Sequence, residues 1–176
     1  TYTSLTTASG TLTDMHTHFL QTITYAAQPH ALPIVLNDYQ QNIHASALKY
    51  NAMLFTYIQQ DLIELDPNLV TLFTEAGHAA QIEEQQNYSK SVQTAWQSYS
   101  IKQEQVLRMV TARNSANVQA LAVALTNEAF VEVERDLHTL ITFSGSLAPS
   151  LADASNIEVQ KLFITTIIAG LGLLLG

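Results

Sequence analysis

The stretch SVQTAWQSYSIKQEQVLRMV, residues 91–110, decides how the chain folds. Val92, Trp96, Tyr99, Gln103, Val106 and Val110 recur at alternating spacings of four and three. That is the seam of a helix wound against partner helices in a left-handed bundle. Aromatic residues at this spacing read as core, so Trp96 and Tyr99 are expected inside. Upstream, Leu69, Phe73, Ala76 and Ala80 begin the same stripe. The helix is therefore expected over about 67–113, bent near Gly77. Asp66 before Pro67 supplies an N-cap with proline at the first helical position.

Working outward, the same periodicity marks three more helices. Leu12, Met15, Phe19, Ile23 and Ala26 form one apolar stripe, so a first helix is expected from about Ser9 or Thr11. The Thr- and Ser-rich residues 1–11 are expected to be frayed. Gln28 to Pro33 holds two prolines and reads as a turn. A second helix follows to about Glu64, with Leu36, Tyr39, Ile43, Ala47, Tyr50, Leu54 and Ile58 on its stripe. After a turn at Arg113–Ser115, a fourth helix carries Phe130, Val133, Leu137, Leu140, Ser144, Leu147 and Leu151 in a near-heptad. Gly145 and Pro149 are expected to break it and act as a conformational hinge. A further helical segment starts near Asp153. The fold expected is all-α: an elongated up-down bundle of four to five long helices with a hydrophobic segment at the C-terminal end. The organisation reads as a bundle over 1–161 and a membrane-contacting segment over 162–176.

Composition narrows the function. Only 12 % of residues are charged and the formal net charge is −8, so nucleic acid is not an expected partner. The seven basic residues are scattered, which makes electrostatic docking to anionic lipid weak and leaves hydrophobic contact as the route to a membrane. There is no Cys, hence no disulfide or thiolate framework.

Candidate chemistry is sparse. His16 and His18, two apart on a helix, point about 200° from one another and cannot chelate one metal. Asp14 and His18 are placed to pair on a solvated face. Glu75 and His78 have the Glu-x-x-His spacing of di-iron bundles, but no second copy exists, so a surface pair near a helix bend is the expectation. Glu128, Glu132 and Asp136 share one face and read as a solvated acidic stripe, with Arg135 and His138 nearby. No phosphate loop or nucleophile elbow occurs. No catalytic residues, metal ligands or cofactors are expected, and the chain is not expected to be an enzyme.

The last fifteen residues, LFITTIIAGLGLLLG (162–176), carry no charge and follow Lys161. This is shorter than the roughly 20 residues that span a bilayer. Yet it has no polar face, where a bundle helix normally shows one. The expected membrane-contacting residues are Leu162, Phe163, Ile164, Ile167, Ile168, Leu171, Leu173, Leu174 and Leu175. Gly170 and Gly172 are expected to add hinge character.

Two families share this pattern. Leu12 to Ala27 running into Gln28-Pro29, then Tyr39-Gln40-Gln41 and an Ala-rich helix with Ala45, Ala47 and Tyr50 ending in Leu62-Ile63, resembles the α-helical pore-forming toxins. This is the group of the haemolysin BL and Nhe enterotoxin components and cytolysin A. Phe143 to Leu147 and Ile167 to Gly172 resemble that family's approach and hydrophobic head. The family's proline sits earlier than Pro67 does here. The resemblance implies a secreted haemolysin- or cytolysin-like component, with return helices after the head. It inserts into a target-cell membrane and forms a homo-oligomer or assembles with sister toxin components. Trp96-x-x-Tyr99, Leu137 and Leu140, with Lys161 entering an apolar segment, also resemble the four-helix sensor domain of bacterial chemoreceptors. That resemblance implies a periplasmic ligand-binding domain running into an inner-membrane helix at Leu162. The arginines with which the aspartate-sensing members clamp carboxylates are missing from the first helix. In the toxin reading, Leu162–Gly176 is expected to be hidden against the bundle or in an oligomer until contact with a membrane releases it.

Overall fold

The computed structural model describes residues 2–26, 33–58, 67–111 and 118–174. Described side chains are fewer, and those of 166–174 are among the ones left aside. The expected turns at 28–32 and 113–115, the Asp66 cap, the end of the second helix near Glu64, and Leu175 lie outside the described residues.

The chain is all-α. Six helices follow in order among the described residues: α1 (Tyr2–Ala26), α2 (Pro33–Ile58), α3 (Pro67–Glu75), α4 (Ala79–Thr111), α5 (Val118–Ser146) and α6 (Ala148–Leu174). Five are long and α3 is one of nine residues. No strand occurs among the described residues. The 33 residues of α4 extend about 50 Å, so the bundle is elongated.

α1, α2, α4 and α5 share one hydrophobic core. Leu12, Met15, Phe19 and Ile23 of α1 meet Val92, Trp96, Tyr99 and Val106 of α4 and Val133, Leu137 and Leu140 of α5 there. α2 adds Ile43 and Tyr50 and packs chiefly on α1. α4 and α5 are antiparallel. Tyr88 lies against Phe143, while Tyr99, further along α4, lies against Phe130, earlier in α5. α3 and α6 stand apart from this core and pack on one another.

Helix α1 begins at Tyr2, well before the expected start at Ser9 or Thr11. Leu5 and Ala8 carry the apolar stripe back another two turns and are buried. The threonines that weaken helix propensity are satisfied locally. Thr11, Thr13, Thr17, Thr22 and Thr24 each donate to the carbonyl four residues earlier. Burial of the stripe outweighs the few tenths of a kcal/mol each Thr costs.

At Gly77 the helix does not merely bend but stops. Gly77 has φ +80°, the left-handed region that glycine enters without penalty. His78 N–H reaches back to the Phe73 carbonyl (2.8 Å) and Gly77 N–H to that of Thr74 (3.0 Å). This is a Schellman closure, and it ends α3 before α4 begins.

Near Gly145 and Pro149 the chain breaks as expected, but over a single residue, Leu147. Pro149 has no N–H to give the Gly145 carbonyl four residues earlier, and its ring crowds that oxygen. The helix resumes at Ala148, five residues before the expected Asp153. The heptad phase of α5 is lost there, so Leu151, expected on the core stripe, is 48 % exposed.

Candidate functional site

Two features stand out: the end of the molecule where α3 meets α6, and a polar network that runs from the buried Tyr99 and His16 to Asn127 at the surface.

The α3–α6 end lies beside the α4–α5 junction. Gln85 of α4 donates to Ser144 of α5 at 3.4 Å. One step further, His78 Nε2 lies 3.6 Å from Asp153 of α6. Lys161 of α6 then pairs with Glu75 of α3. Phe73, Ser150 and Ala154 are buried, though Phe73 and Ala154 lie outside the main core cluster. The two residues of the Glu-x-x-His motif thus each meet a residue of α6. Among the described residues no group of three or more His, Asp or Glu is placed to hold a metal.

Immediately past Lys161, Leu162, Phe163 and Ile164 are 62 %, 67 % and 55 % exposed. Successive residues on an α-helix point about 100° apart. Three consecutive exposed apolar side chains therefore wrap more than half of the helix circumference. The bundle does not cover Leu162, Phe163 and Ile164, so of the two expected hiding places, the bundle or an oligomer, the first does not serve these three residues. The α6 backbone stays helical through Ile167, Ile168, Gly170, Leu171, Gly172, Leu173 and Leu174. Their side chains lie outside the described residues. Among the described residues no helix is long and apolar enough to cross a membrane.

The second feature was not anticipated. His16 of α1 is 7 % exposed and sits at the meeting of three helices. Its ring stacks on Phe130 of α5, with centroids 3.9 Å apart and planes within 6°. Nε2 lies 3.1 Å from Asn127 Oδ1 and Nδ1 lies 2.8 Å from the Tyr99 hydroxyl. Gln103 Nε2 donates to the same hydroxyl at 2.8 Å. The amide oxygen of Asn127 can only accept, so Nε2 carries the proton. Nδ1 then accepts from Tyr99 O–H, and Tyr99 accepts from Gln103. Every member is satisfied by a neutral imidazole. Burial holds His16 below the ordinary imidazole value, against smaller raising effects from the Asn127 hydrogen bond and the Glu134 charge. Burial likewise pushes the Tyr99 phenol up, opposed by the Gln103 hydrogen bond.

The aromatic cluster extends through Tyr99 to Trp96 (5.8 Å) and from Trp96 to Tyr50 of α2 (4.3 Å), so it touches all four core helices. The Tyr50 hydroxyl is buried with no hydrogen-bond partner among the described residues. Trp96 and Tyr99, which carried the sensor-domain resemblance, are core residues.

Read locally, His16 and His18 are only a pair unable to chelate one metal, and that pattern does not mark His16 as buried. One signal was present: His16 falls one position after Met15 on the α1 stripe, beside a polar Gln103 at a seam position of α4. The expected Asp14–His18 contact is not made through Nδ1, which is buried without a hydrogen-bond partner among the described residues. Of the expected acidic face, Glu128 and Glu132 are exposed but Asp136 is largely covered, with Arg135 bonded to Asp136 at 2.8 Å and 3.8 Å from Glu132.

No protein-family model, no curated protein and no solved structure matches the chain.

Proposed function

We propose that this protein is a component of an α-helical pore-forming assembly, in which α6 delivers a charge-free segment into a target membrane. One observation carries the reading. Leu162, Phe163 and Ile164 stand exposed around most of the helix circumference, directly after the last charged residue of the chain. Moving each such side chain out of water is worth about 1.5–3 kcal/mol. The nine apolar positions from Leu162 to Leu175 together supply well over ~10 kcal/mol.

The thirteen helical residues 162–174 reach about 20 Å, short of the ~30 Å hydrocarbon core. The segment therefore acts as part of a head completed by further chain or by neighbouring subunits, either copies of itself or sister components. Secretion followed by attachment to a target-cell membrane fits this role.

Dye release from liposomes tests the proposal, with the full chain added alone and with partner components. Release is expected, and Phe163→Asp with Ile164→Asp should reduce it at least about tenfold, since a buried aspartate costs ~2.5–3.5 kcal/mol in a membrane. Absence of leakage under every combination rejects it.

The four-helix core leading into α6 also suits the sensor-domain reading. In that case a small carboxylate or amino acid raises the melting temperature and no leakage occurs.

A further inference from the structure

We propose that His16 is an acid-sensitive clamp, locking α1 to α4 and α5 as a neutral ring and loosening α1 when it takes up a proton. The clamp belongs to the core and stands whether or not α6 enters a membrane.

The geometry gives the reason. In the chain of hydrogen bonds Gln103 to Tyr99 to His16 to Asn127, each donor meets one acceptor. A second proton on the ring turns Nδ1 into a donor facing the Tyr99 oxygen. That oxygen must then accept from both Gln103 and His16, unless the Gln103 amide turns over to offer Oε1 to the Tyr99 proton, so the hydrogen-bond order of the neutral state cannot persist. The new charge also lies in a site 7 % exposed, where the Phe130 face at 3.9 Å gives a cation–π contact that offsets only part of the lost hydration.

No carboxylate touches the ring. From α4 the ring faces Tyr99, which Gln103 backs, and from α5 it faces Asn127 and Phe130. The acidic charge that reaches it is that of Glu134 on α5. Glu134 is exposed, so its field is screened by solvent and salt. α2 meets the cluster through Tyr50, a neutral phenol lying on Trp96. On α1 itself, Asp14 is exposed and His18 is two positions away on a different side of the helix. A buried imidazolium with no carboxylate in contact disfavours the folded arrangement.

The direction with pH follows from linkage. His16 is held below its ordinary value in the folded bundle. As pH falls through about 6.5, the unfolded chain takes up the proton first. Stability from this residue is therefore complete above that pH. It declines as pH falls, by at most about tenfold in the folded-to-unfolded ratio per pH unit, until the folded ring also titrates.

The experiment is an NMR titration of the His16 ring in the full chain. It is paired with urea unfolding and Trp96 fluorescence of wild type and His16→Gln, between about pH 7.5 and about pH 5.5, on either side of the ordinary imidazole value. Gln keeps an acceptor for Tyr99 and a donor for Asn127 but does not titrate. Trp96 is the only tryptophan and belongs to the same aromatic cluster. The His16 ring is expected to titrate below its ordinary value. Wild type should lose stability on acidification with a red shift of Trp96 emission, and His16→Gln should show a clearly shallower loss. A ring that titrates at or above the ordinary value, or equal acid slopes in the two proteins, overturns the clamp. If His16→Gln does not fold, the wild-type ring titration decides alone.

Discussion

Tyr99 is the residue on which the core turns. Its hydroxyl receives Gln103 and serves His16, while its ring lies between Trp96 and Phe130. Tyr99→Phe keeps the ring and deletes the hydroxyl, leaving two buried polar partners unmatched. A loss of about 1–3 kcal/mol is expected in urea unfolding, against less than ~0.5 kcal/mol for an exposed substitution such as Val131→Thr. Gly77 is the other residue with an outsized role. A Cβ there meets nothing within 4 Å, so substitution is opposed by backbone conformation alone. Gly77→Ala should cost about 1–2 kcal/mol, visible as a lower melting temperature.

At the scale of elements, the apolar stripes of α4 and α5 set the stability of the bundle. Leu137 is 1 % exposed, and Leu137→Ala should cost about 2–5 kcal/mol in urea unfolding. Leu151→Ala, on the far side of the Leu147 break, should cost far less. These elements were the most legible part of the sequence. Val92, Trp96, Tyr99, Gln103 and Val106 fall inside, as their four-and-three spacing requires. The start of α1 was not legible. Thr and Ser lower helix propensity when read locally, whereas the burial of Leu5 and Ala8 that overrides them comes from partner helices distant in sequence. The end of α3 was half legible: Gly77 signals a bend, but whether it bends or closes the helix depends on carbonyl geometry. The polar network was hidden for a further reason. His16, Tyr99 and Asn127 are 83 and 111 residues apart along the paired contacts, and no local pattern brings such residues together.

At the scale of the whole molecule, the chain divides its work between two regions. The α1, α2, α4 and α5 bundle holds the shape, and α6 presents the apolar surface on which the proposed function rests. Among the described residues, what ties the second region down includes a Lys161–Glu75 pair, a His78–Asp153 contact and a small buried patch. Lys161 and Glu75 are about half exposed, and such pairs are worth roughly 0–1 kcal/mol. Lys161→Gln should therefore leave the melting temperature within about 2–4 °C of wild type.

The main core cluster takes no residue from α3 or α6. Opening of that end therefore need not pass through unfolding of the bundle. Amide hydrogen exchange should display this as two separate protection levels. The α6 amides past Leu147 should exchange with a low opening free energy of their own, while those around Tyr99 and Leu137 exchange only with global unfolding. A molecule built in this way can surrender one end to a new surface and still keep the memory of its fold in the other.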